Sequence, residues 1–358
     1  MAEGRKTVLI TGGAGTIGQA FIERHRDEYD FVNLSRGEAG IHALERRFPE
    51  IRSFVCDVND ADRLINVFLK VRPDVVVHAA ALKHVNYAEM NPSKTVEVNI
   101  VGGLNVVRAC VRAEVPIAVG ISTDKACQPE NIYGYSKKIL EQTFLEHHNR
   151  DTRFVCARFA NVAASSGSVI PFWIDAARAG QHLKLTDSRM NRLMFTRGEA
   201  AALIRQAIDF AGRSEKPFVL CRTMKSVSML QLANVIAQEF GPGGPRGPDP
   251  RFVPPIPGSV VEVVGLRPGE RLNEVLVSQR ELPQASLTDD GRHIALFNDD
   301  FGRGRVTSEL SSLTADHMTN DEIMALFADY GPYGAVPGDV AAAAPAASPA
   351  AAVAEPAS

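Results

Sequence analysis

The stretch that decides the fold is Thr7-Val8-Leu9-Ile10-Thr11-Gly12-Gly13-Ala14-Gly15-Thr16-Ile17-Gly18. Its first four residues predict a buried strand, and a helix is expected after the glycines, to about His25. Glycines at such a turn let the backbone approach a pyrophosphate, and the helix N-terminus adds N–H groups and a positive dipole end. The alternative is a plain glycine-rich turn. We predict that this turn binds a dinucleotide through Gly12, Gly15, Thr16, Ile17 and Gly18.

Five more apolar runs predict strands, at about residues 31–34, 52–56, 75–78, 116–121 and 154–157. The segments between them predict helices, including a long one at about 92–114 and another from 132 to 147. Strands that alternate with helices indicate an α/β fold with a doubly wound, parallel Rossmann sheet.

The pattern changes after about residue 160, which predicts a second unit. We expect residues 1–160 to form an NADP-binding Rossmann domain, with a return segment at about 196–222. A smaller C-terminal α/β lobe that binds substrate is expected from residues 161–195 and 223–333. Residues 334–358 are dominated by Ala, Pro and Ser, which predicts a disordered tail because too few large apolar side chains are present to build a core.

Composition excludes several classes of function. The 358 residues carry a net charge of −3, which indicates neither nucleic-acid nor membrane binding. No apolar run reaches the ~18 residues that a membrane span needs, and the N-terminus lacks the apolar core of a signal peptide. The five cysteines form no C-x-x-C pair, and no zinc-ligand spacing occurs. We therefore expect a cytoplasmic protein without a metal.

The candidate active site follows the fifth predicted strand. Thr123, Asp124 and Lys125 supply a hydroxyl, a carboxylate and an amine at a strand's carboxyl end, where open α/β sheets bind their ligands. Tyr133 and Lys137 are four residues apart, so they share one face of a helix. A lysine beside a tyrosine lowers the pKa of the phenol and lets it transfer protons near neutral pH. We predict that all five residues are catalytic; a surface salt bridge between Asp124 and Lys125 is the alternative.

The second strand ends in Ser35 and Arg36, with no acidic residue to bind the adenine ribose of NAD. A hydroxyl and a guanidinium suit a 2′-phosphate, so NADP is favoured over NAD. The other predicted cofactor contacts follow later strands or lie on helices, and they are Asp57, Val58, Ala79, Ala80, Ala81, Asn99, Tyr133 and Lys137.

Candidate substrate contacts lie mostly in the second lobe. Arg189 and Arg192 are three residues apart in a basic loop, which suits a diphosphate, although a solvated loop is the alternative. Arg267 and Glu270 suit a phosphate and a ribose diol. The predicted substrate-binding residues are Lys83, Asn161, Ser168, Val169, Thr186, Arg192, Arg267 and Glu270.

In several strings the chain resembles the inverting UDP-N-acetylglucosamine 4,6-dehydratase group of polysaccharide-biosynthesis proteins, in the extended short-chain dehydrogenase/reductase superfamily. The resemblance covers about residues 7–277 and rests on T-G-G-A-G-T-I-G, S-R-G-E, A-A-A-L-K-H-V, S-T-D-K-A-C-Q-P-E-N-I-Y-G-Y-S-K, G-S-V-I-P-F, T-D-S-R-M-N-R and L-R-P-G-E-R-L-N-E. Retaining dehydratases have Asp-Glu in place of Asp124-Lys125, and 4-epimerases lack a base for H5 there.

The resemblance implies a mechanism. Tyr133, tuned by Lys137 and assisted by Thr123, takes the proton of the sugar 4-hydroxyl while hydride passes from C4 to NADP. The 4-ketone acidifies H5, which Lys125 removes, and protonated Asp124 gives a proton to the departing 6-hydroxyl. Hydride then returns to C6, and reprotonation from the other face inverts C5. An amine base needs a lowered pKa, which we expect burial near Lys137 to provide.

Departures from the group concern the second lobe: Ser166, Asn191 and Asn273 replace its usual Arg, Thr and His. The sugar, or its 2-substituent, is therefore expected to differ from the usual one. A nucleotide-sugar epimerase or 5,6-dehydratase is an alternative function, and an NADP-binding regulatory protein is another. The resemblance also implies a homo-oligomer, a dimer or larger, built through the helices at 92–114 and 133–147.

Overall fold

The computed structural model describes residues 4–165, 167–253, 258, 260–288, 290–297 and 306–327. Within these residues the strands are β1 (Lys6–Thr11), β2 (Tyr29–Ser35), β3 (Arg52–Val55), β4 (Val75–His78), β5 (Ile117–Thr123), β6 (Arg153–Phe159), β7 (Asn161–Val162), β8 (Leu183–Leu185), β9 (Asn191–Phe195), β10 (Val219–Arg222), β11 (Ser226–Ser228), β12 (Val261–Val263), β13 (Val275–Val277), β14 (Ala285–Leu287), β15 (His293–Leu296) and β16 (Leu310–Ser311).

The described α-helices are α1 (Thr16–His25), α2 (Glu38–Arg47), α3 (Ala61–Val71), α4 (Val85–Met90), α5 (Pro92–Thr95), α6 (Gly102–Arg112), α7 (Ile132–Glu146), α8 (Val169–Arg178), α9 (Arg197–Arg213), α10 (Met229–Phe240) and α11 (Asn320–Ala325). Short 3-10 turns cover Asp124–Ala126 and Leu282–Gln284. The predicted long helix at 92–114 is not a single α-helix, because a π-helical turn, Val96–Val101, separates α5 from α6.

The main sheet has the strand order β14-β15-β10-β6-β5-β4-β1-β2-β3. Seven neighbouring strands of this sheet are parallel, in the order β10-β6-β5-β4-β1-β2-β3. At the β10 edge, β15 pairs antiparallel with β10, and β14 pairs antiparallel with β15. The strand order reverses at β1, whose neighbours in the sheet are β2 on one side and β4 on the other. Such a topological switch point opens a crevice at the carboxyl edge of the sheet. The predicted doubly wound Rossmann sheet is confirmed.

Apolar residues on both faces of the strands explain why this sheet is covered on both sides. In β1, Leu9 belongs to one buried core, and Val8 and Ile10 belong to the other. The first core also contains residues of α3, α6 and α7, and the second contains residues of α1, α2 and α9. Alternation along one strand thus builds two helical layers around the sheet.

A second, smaller lobe is built on a separate core around Trp173, Phe240 and Phe327. It contains α8 and α10 and small sheets with the orders β11-β9-β7 and β12-β8. The sheet β13-β16 instead packs against the first core of the main sheet through Leu276, Val277 and Leu310. Within the range predicted for this lobe, β14 and β15 instead extend the main sheet. The return of the chain at residues 197–222 places α9 and β10 on the main sheet. The predicted tail, residues 334–358, lies outside the described residues.

Candidate active site

The turn between β1 and α1 packs tightly against the backbone of the loop after β4. Gly12 has φ +75°, and a Cβ there would lie 2.8 Å from the backbone nitrogen of Ala80. Helix α1 starts at an N-cap glycine that provides no side-chain cap. The N–H groups of its first turn have no intrahelical partner and suit a pyrophosphate. The predicted residues Gly12, Gly15, Thr16, Ile17 and Gly18 lie together here, and they fit a dinucleotide.

The ends of β2 and β3 place Arg36 near Asp57. The Arg36 guanidinium is exposed, and its Nη1 lies 3.9 Å from Asp57 Oδ2. The Ser35 hydroxyl, in contrast, donates to Asn33 Oδ1 at 2.7 Å and accepts from the Ala14 N–H at 3.3 Å. Ser35 therefore braces the glycine turn, and the prediction that its hydroxyl faces a 2′-phosphate is wrong. Arg36 is left as the candidate phosphate ligand.

The loop after β4 carries the half-buried Ala79, Ala80 and Ala81 and is anchored by Asn99. The Asn99 amide donates to Leu82 O at 3.0 Å and to Ser136 Oγ at 2.9 Å, and its oxygen accepts from the Leu82 N–H at 2.8 Å. Both amide protons are thus bound to protein. Asn99, in the π-helical turn, positions this loop, which corrects its prediction as a direct cofactor contact. Val58, also predicted at the cofactor, is buried.

Helix α7 buries Tyr133 and Lys137 beside the end of β5. Lys137 Nζ donates to Ile121 O at 2.8 Å, and burial lowers its pKa to about 8. Burial raises the pKa of Tyr133 to about 12, and the charge that opposes this most is that of Lys125. Desolvation dominates at this phenol and keeps it protonated, and the effect of Lys137 on the Tyr133 pKa stays a prediction.

Asp124 and Lys125 lie in the 3-10 turn directly after β5, so that the strand aims both at the carboxyl edge. Asp124 is fully buried, and its Oδ1 accepts from Thr123 Oγ1 at 2.8 Å, from the Lys125 N–H at 2.9 Å and from Lys125 Nζ at 3.2 Å. Lys125 Nζ also donates to Glu274 Oε2 at 2.6 Å. The pair is a buried cluster and not a surface salt bridge.

The charges of this cluster set the protonation of its members. Burial, and then the carboxylate of Glu274, raise the pKa of Asp124 to about 7, which supports its prediction as a protonated acid. Burial lowers the pKa of Lys125, but the carboxylates of Asp124 and Glu274 outweigh it and raise that pKa above its ordinary value. The expected lowering of the Lys125 pKa is therefore wrong, and the amine is charged in this site.

A cavity of about 310 Å³ lies between the end of β5 and the second lobe. Lys125 and Glu274 line it, together with side chains that sequence reasoning did not single out, such as Trp173 and Met229. Lys83, predicted to bind substrate, is exposed in the loop after β4 and outside this lining. The other seven predicted substrate residues line the cavity: Asn161, Ser168, Val169, Thr186, Arg192, Arg267 and Glu270.

The two arginines of the basic loop separate. Arg192 is buried, and its guanidinium donates to Leu272 O at 3.1 Å and lies 3.4 Å from Glu274 Oε1. The Arg189 side chain is 73% exposed and pairs with Asp187. The prediction that these arginines bind a diphosphate together is therefore wrong. Arg189 points into solvent, and the Arg192 guanidinium is already bound to Leu272 O and to the Glu274 carboxylate.

Two of the departures from the expected strings contact each other, since Asn191 Nδ2 donates to Asn273 Oδ1 at 3.1 Å. Ser166 lies outside the described residues. The Cys127 thiol donates to Glu281 at 3.0 Å within a buried ion-pair network that includes Arg158 and Glu141. Cys127 thus belongs to the structural support below the site.

Glu274 is the main residue that sequence reasoning missed. It lies directly before β13, and in the sequence it is one glutamate among several charged residues at 267–274. Only its buried contacts with Lys125 and Arg192 distinguish it.

Within the described ranges, no group of His, Cys, Asp or Glu side chains could hold a metal ion, and no helix combines the length and apolarity of a membrane span.

Comparison with curated proteins gives relatives that include a dehydratase and an epimerase. The chain is 33% identical to the uncharacterized membrane protein MJ1061 of Methanocaldococcus jannaschii over 80% of this chain and 84% of that one. It is 31% identical to the inverting UDP-N-acetylglucosamine 4,6-dehydratase of Campylobacter jejuni, over 76% of this chain and 78% of that one. A UDP-glucose 4-epimerase of Rickettsia canadensis is 29% identical, over 80% and 81% of the two chains.

Solved structures show the same architecture. Pen from Bacillus thuringiensis superposes with a TM-score of 0.79 at 27% identity, over 92% of this chain and 98% of that one. WbmG from Bordetella bronchiseptica, solved in complex with NAD, has a TM-score of 0.65 at 21% identity, over 93% and 96% of the chains, which shows the fold alone. The family model described as polysaccharide biosynthesis protein matches residues 8–294. With this match and the identity to the inverting dehydratase, the resemblance drawn from the sequence is confirmed, and the chain belongs to the polysaccharide biosynthesis protein family.

Proposed function

We propose that this protein is a nucleotide-sugar 4,6-dehydratase that acts on UDP-N-acetylglucosamine or a relative of it. The observation that carries the proposal is the buried acid and amine, Asp124 and Lys125, placed beside Thr123 and Tyr133, with Lys125 on the lining of the cavity. Exchange of the 4-hydroxyl configuration needs only the tyrosine and the threonine. An added acid and amine suit the loss of water across C5 and C6.

We propose NADP as the cofactor, with the glycine turn around its pyrophosphate and Arg36 at its 2′-phosphate. When bound, a nicotinamide dinucleotide accepts hydride from C4 of the sugar and returns it to C6. Exposure of the Arg36 guanidinium supports NADP, whereas the NAD complex of a structural neighbour favours NAD. The two cofactors share every other predicted contact, so Arg36 decides between them.

The proton steps fall to residues of β5 and α7. Tyr133 takes the proton of the 4-hydroxyl as a phenolate, assisted by the Thr123 hydroxyl, after its own phenolic proton has passed to solvent. Asp124 then gives its proton to the 6-oxygen as the C6–O bond breaks, and the oxygen leaves as water. Lys125 takes the proton from C5 as a neutral amine, after substrate binding has released one ammonium proton to solvent. Return of a proton from the opposite face inverts C5.

The cavity lining supports binding of a nucleotide diphosphate. Lys184 and Arg267 are exposed cations on the lining, and they suit the diphosphate better than the buried Arg192. Glu270 is an acceptor suited to a ribose diol. Arg192, through its bonds to the backbone at 271–272, instead holds the wall of the cavity.

Products formed in deuterated water test the proposal. UDP-N-acetylglucosamine should yield a 4-keto-6-deoxy sugar with deuterium at C5 and an inverted C5 configuration, as seen by NMR. A 4-epimer without deuterium would show that the chain is an epimerase. Absence of turnover across a panel of nucleotide sugars, with the dinucleotide still bound, would favour a regulatory protein.

A nucleotide-sugar epimerase is the second candidate, and a specific observation favours it. Lys125 is charged in the described site, so the base that dehydration needs is not preformed. The epimerase among the relatives is consistent with the same fold carrying that reaction. The deuterium experiment separates the two, because only dehydration breaks the C5–H bond.

We also propose that the chain forms a homo-oligomer through α4 to α7. Large apolar side chains are exposed on these helices, with Met90 at 77%, Tyr87 at 57% and Tyr135 at 52% exposure. Exposed large apolar side chains on neighbouring helices are typical of an interface between subunits. Light scattering of the purified protein should give a mass of at least two chains; a monomer would refute the proposal. A cytoplasmic location stays a prediction.

A further inference from the structure

Four charged side chains meet at the boundary between the two lobes. Asp124 and Lys125 come from the end of β5, Arg192 from β9, and Glu274 from the segment before β13. The Lys125 ammonium lies 3.2 Å from Asp124 Oδ1 and 2.6 Å from Glu274 Oε2, so one cation bridges two carboxyl groups. Asp124, Arg192 and Glu274 are buried, and water cannot compensate for any imbalance of charge there.

The hydrogen bonds indicate where a proton resides. Every donor to Asp124 reaches Oδ1, and among the described residues its buried Oδ2 receives none. A buried carboxylate oxygen without a donor is costly, whereas a protonated oxygen is itself a donor. The Asp124 and Glu274 carboxyl groups also bind the same Lys125 ammonium, and a proton on one of them relieves the repulsion between their charges.

The two carboxyl groups have unequal access to positive charge. Glu274 contacts Lys125 through one oxygen and Arg192 through the other, and its N–H donates to Ser312 Oγ at 2.9 Å. Both cations therefore favour the anion on Glu274, and this lowers its pKa against the effect of burial. Asp124 is paired with one cation, Lys125, which it shares with Glu274. Its negative charge is therefore less stabilised than that of Glu274, so the proton of the pair resides on Asp124.

The groups that face this pair come from every neighbouring element. Thr123 and Lys125 face it from the end of β5, Tyr133 from α7, and Arg192 from β9. Arg271, in the segment that carries Glu274, is bound to Glu130 at 2.6 Å and feels the Glu274 charge more weakly. Among these groups Glu274 is the anion that shares the Lys125 ammonium with Asp124.

We propose that Glu274 is a positioning residue that keeps one proton on Asp124 and holds the Lys125 ammonium beside it. The second lobe thereby completes the acid of the active site. The inference rests on the proposed dehydratase function, because the Asp124 proton is needed for loss of the 6-oxygen. As the C6–O bond breaks, the proton moves from Asp124 to the 6-oxygen. The ammonium of Lys125 then balances the new negative charge of Asp124, and the guanidinium of Arg192 balances that of Glu274.

The test compares pH profiles of dehydration in the wild type, Glu274→Gln and Glu274→Asp, with the cofactor bound. Glu274→Gln removes the like charge beside Asp124, so the alkaline limb of the profile should move to lower pH. A displacement of one pH unit from about 7 reduces the protonated fraction at pH 7 about fivefold. Glu274→Asp keeps the charge and should leave the limb near its wild-type position, even where its maximal rate is lower.

Glu281→Gln is the matched control. Glu281 is also a carboxylate of the second half of the chain held by a buried arginine, but its partner is Arg158 and not the catalytic pair. This change should lower thermal stability without moving the alkaline limb. An unmoved limb in Glu274→Gln, with only a lower rate, would assign Glu274 a merely structural role and overturn the inference.

A measurement on the wild type covers the case in which Glu274→Gln fails to fold. With carboxyl-¹³C aspartate, NMR should show one carboxyl that titrates near neutral pH and is missing in Asp124→Asn. Absence of that titration overturns the inference. If the titration is present but UDP-N-acetylglucosamine yields no 4-keto-6-deoxy sugar, the proposed function fails while the protonation of Asp124 by this pair stands.

Discussion

Replacement of Lys137 by Met should stabilise the protein while abolishing its chemistry. Lys137 is 3% exposed, and burial lowers its pKa from 10.5 to about 8. The difference between these two pKa values corresponds to about 3 kcal/mol of unfolding free energy lost by keeping the ammonium buried. Met has a similar length and no charge, but the change removes the hydrogen bond to Ile121 O, worth about 1 kcal/mol. Lys137→Met should therefore gain about 2 kcal/mol at pH 7.

The pH dependence gives this prediction its sign. Between pH 8 and 10.5 the unfolded chain binds the Lys137 proton more strongly than the folded chain does, so wild-type stability rises with pH across that window. The loss of unfolding free energy caused by the buried Lys137 ammonium is fully present below pH 8 and vanishes above pH 10.5. The advantage of Lys137→Met over the wild type should therefore shrink between pH 7 and pH 10. Comparison of the two proteins cancels the titration of other groups.

Urea unfolding at both pH values measures the effect, with Lys138→Met as the control. Lys138 is the next residue of α7, but its side chain is 36% exposed and lies 3.5 Å from Glu141, so its replacement should give no gain. A Lys137→Met protein less stable than the wild type at pH 7, or a difference that does not change with pH, would refute the reasoning. Single-turnover absorbance should show no reduced cofactor in this variant.

Three further predictions concern the roles of single residues. Lys125→Ala should leave C4 oxidation visible as a transient of reduced-cofactor absorbance while dehydration falls by about 10²–10⁴-fold; dehydration near the wild-type rate would exclude Lys125 as the base. Tyr133→Phe should suppress the transient itself, because the group that takes the 4-hydroxyl proton is removed, and a normal transient would contradict its role. Arg36→Ala should weaken NADP binding by about tenfold or more in titration calorimetry and leave NAD binding nearly unchanged, since only NADP carries the 2′-phosphate; an equal loss for both cofactors would exclude the NADP assignment.

Local patterns of apolar, glycine and polar residues were sufficient to predict the main sheet and the location of the candidate site. The run of apolar residues and glycines at 7–18 predicts β1, its turn and α1, because strand, turn and helix each depend on residues close in sequence. The same reasoning places Thr123, Asp124 and Lys125 at the end of β5. Seven of the eight predicted substrate residues line one cavity, since the strings that contain them were recognised together.

Sequence reasoning was less successful for side chains whose partners lie far along the chain. Ser35 and Asn99 were predicted to face the cofactor, but the folded chain uses their polar groups to hold neighbouring backbone. Arg189 and Arg192 are close in sequence, yet one is exposed and the other buried. Spacing indicates which residues are neighbours on an element, and it does not indicate which of them meets a buried partner.

The sequence by itself determined that a set of acid and base residues lies at the carboxyl edge of a Rossmann sheet. Only the tertiary structure decided how that set is protonated, because Glu274 reaches Lys125 across 149 residues of chain. The pKa of a buried group depends on its desolvation and on every charge within a few ångströms. Those charges come from both lobes, so the acid, the charged amine and the residue that governs them are properties of the fold.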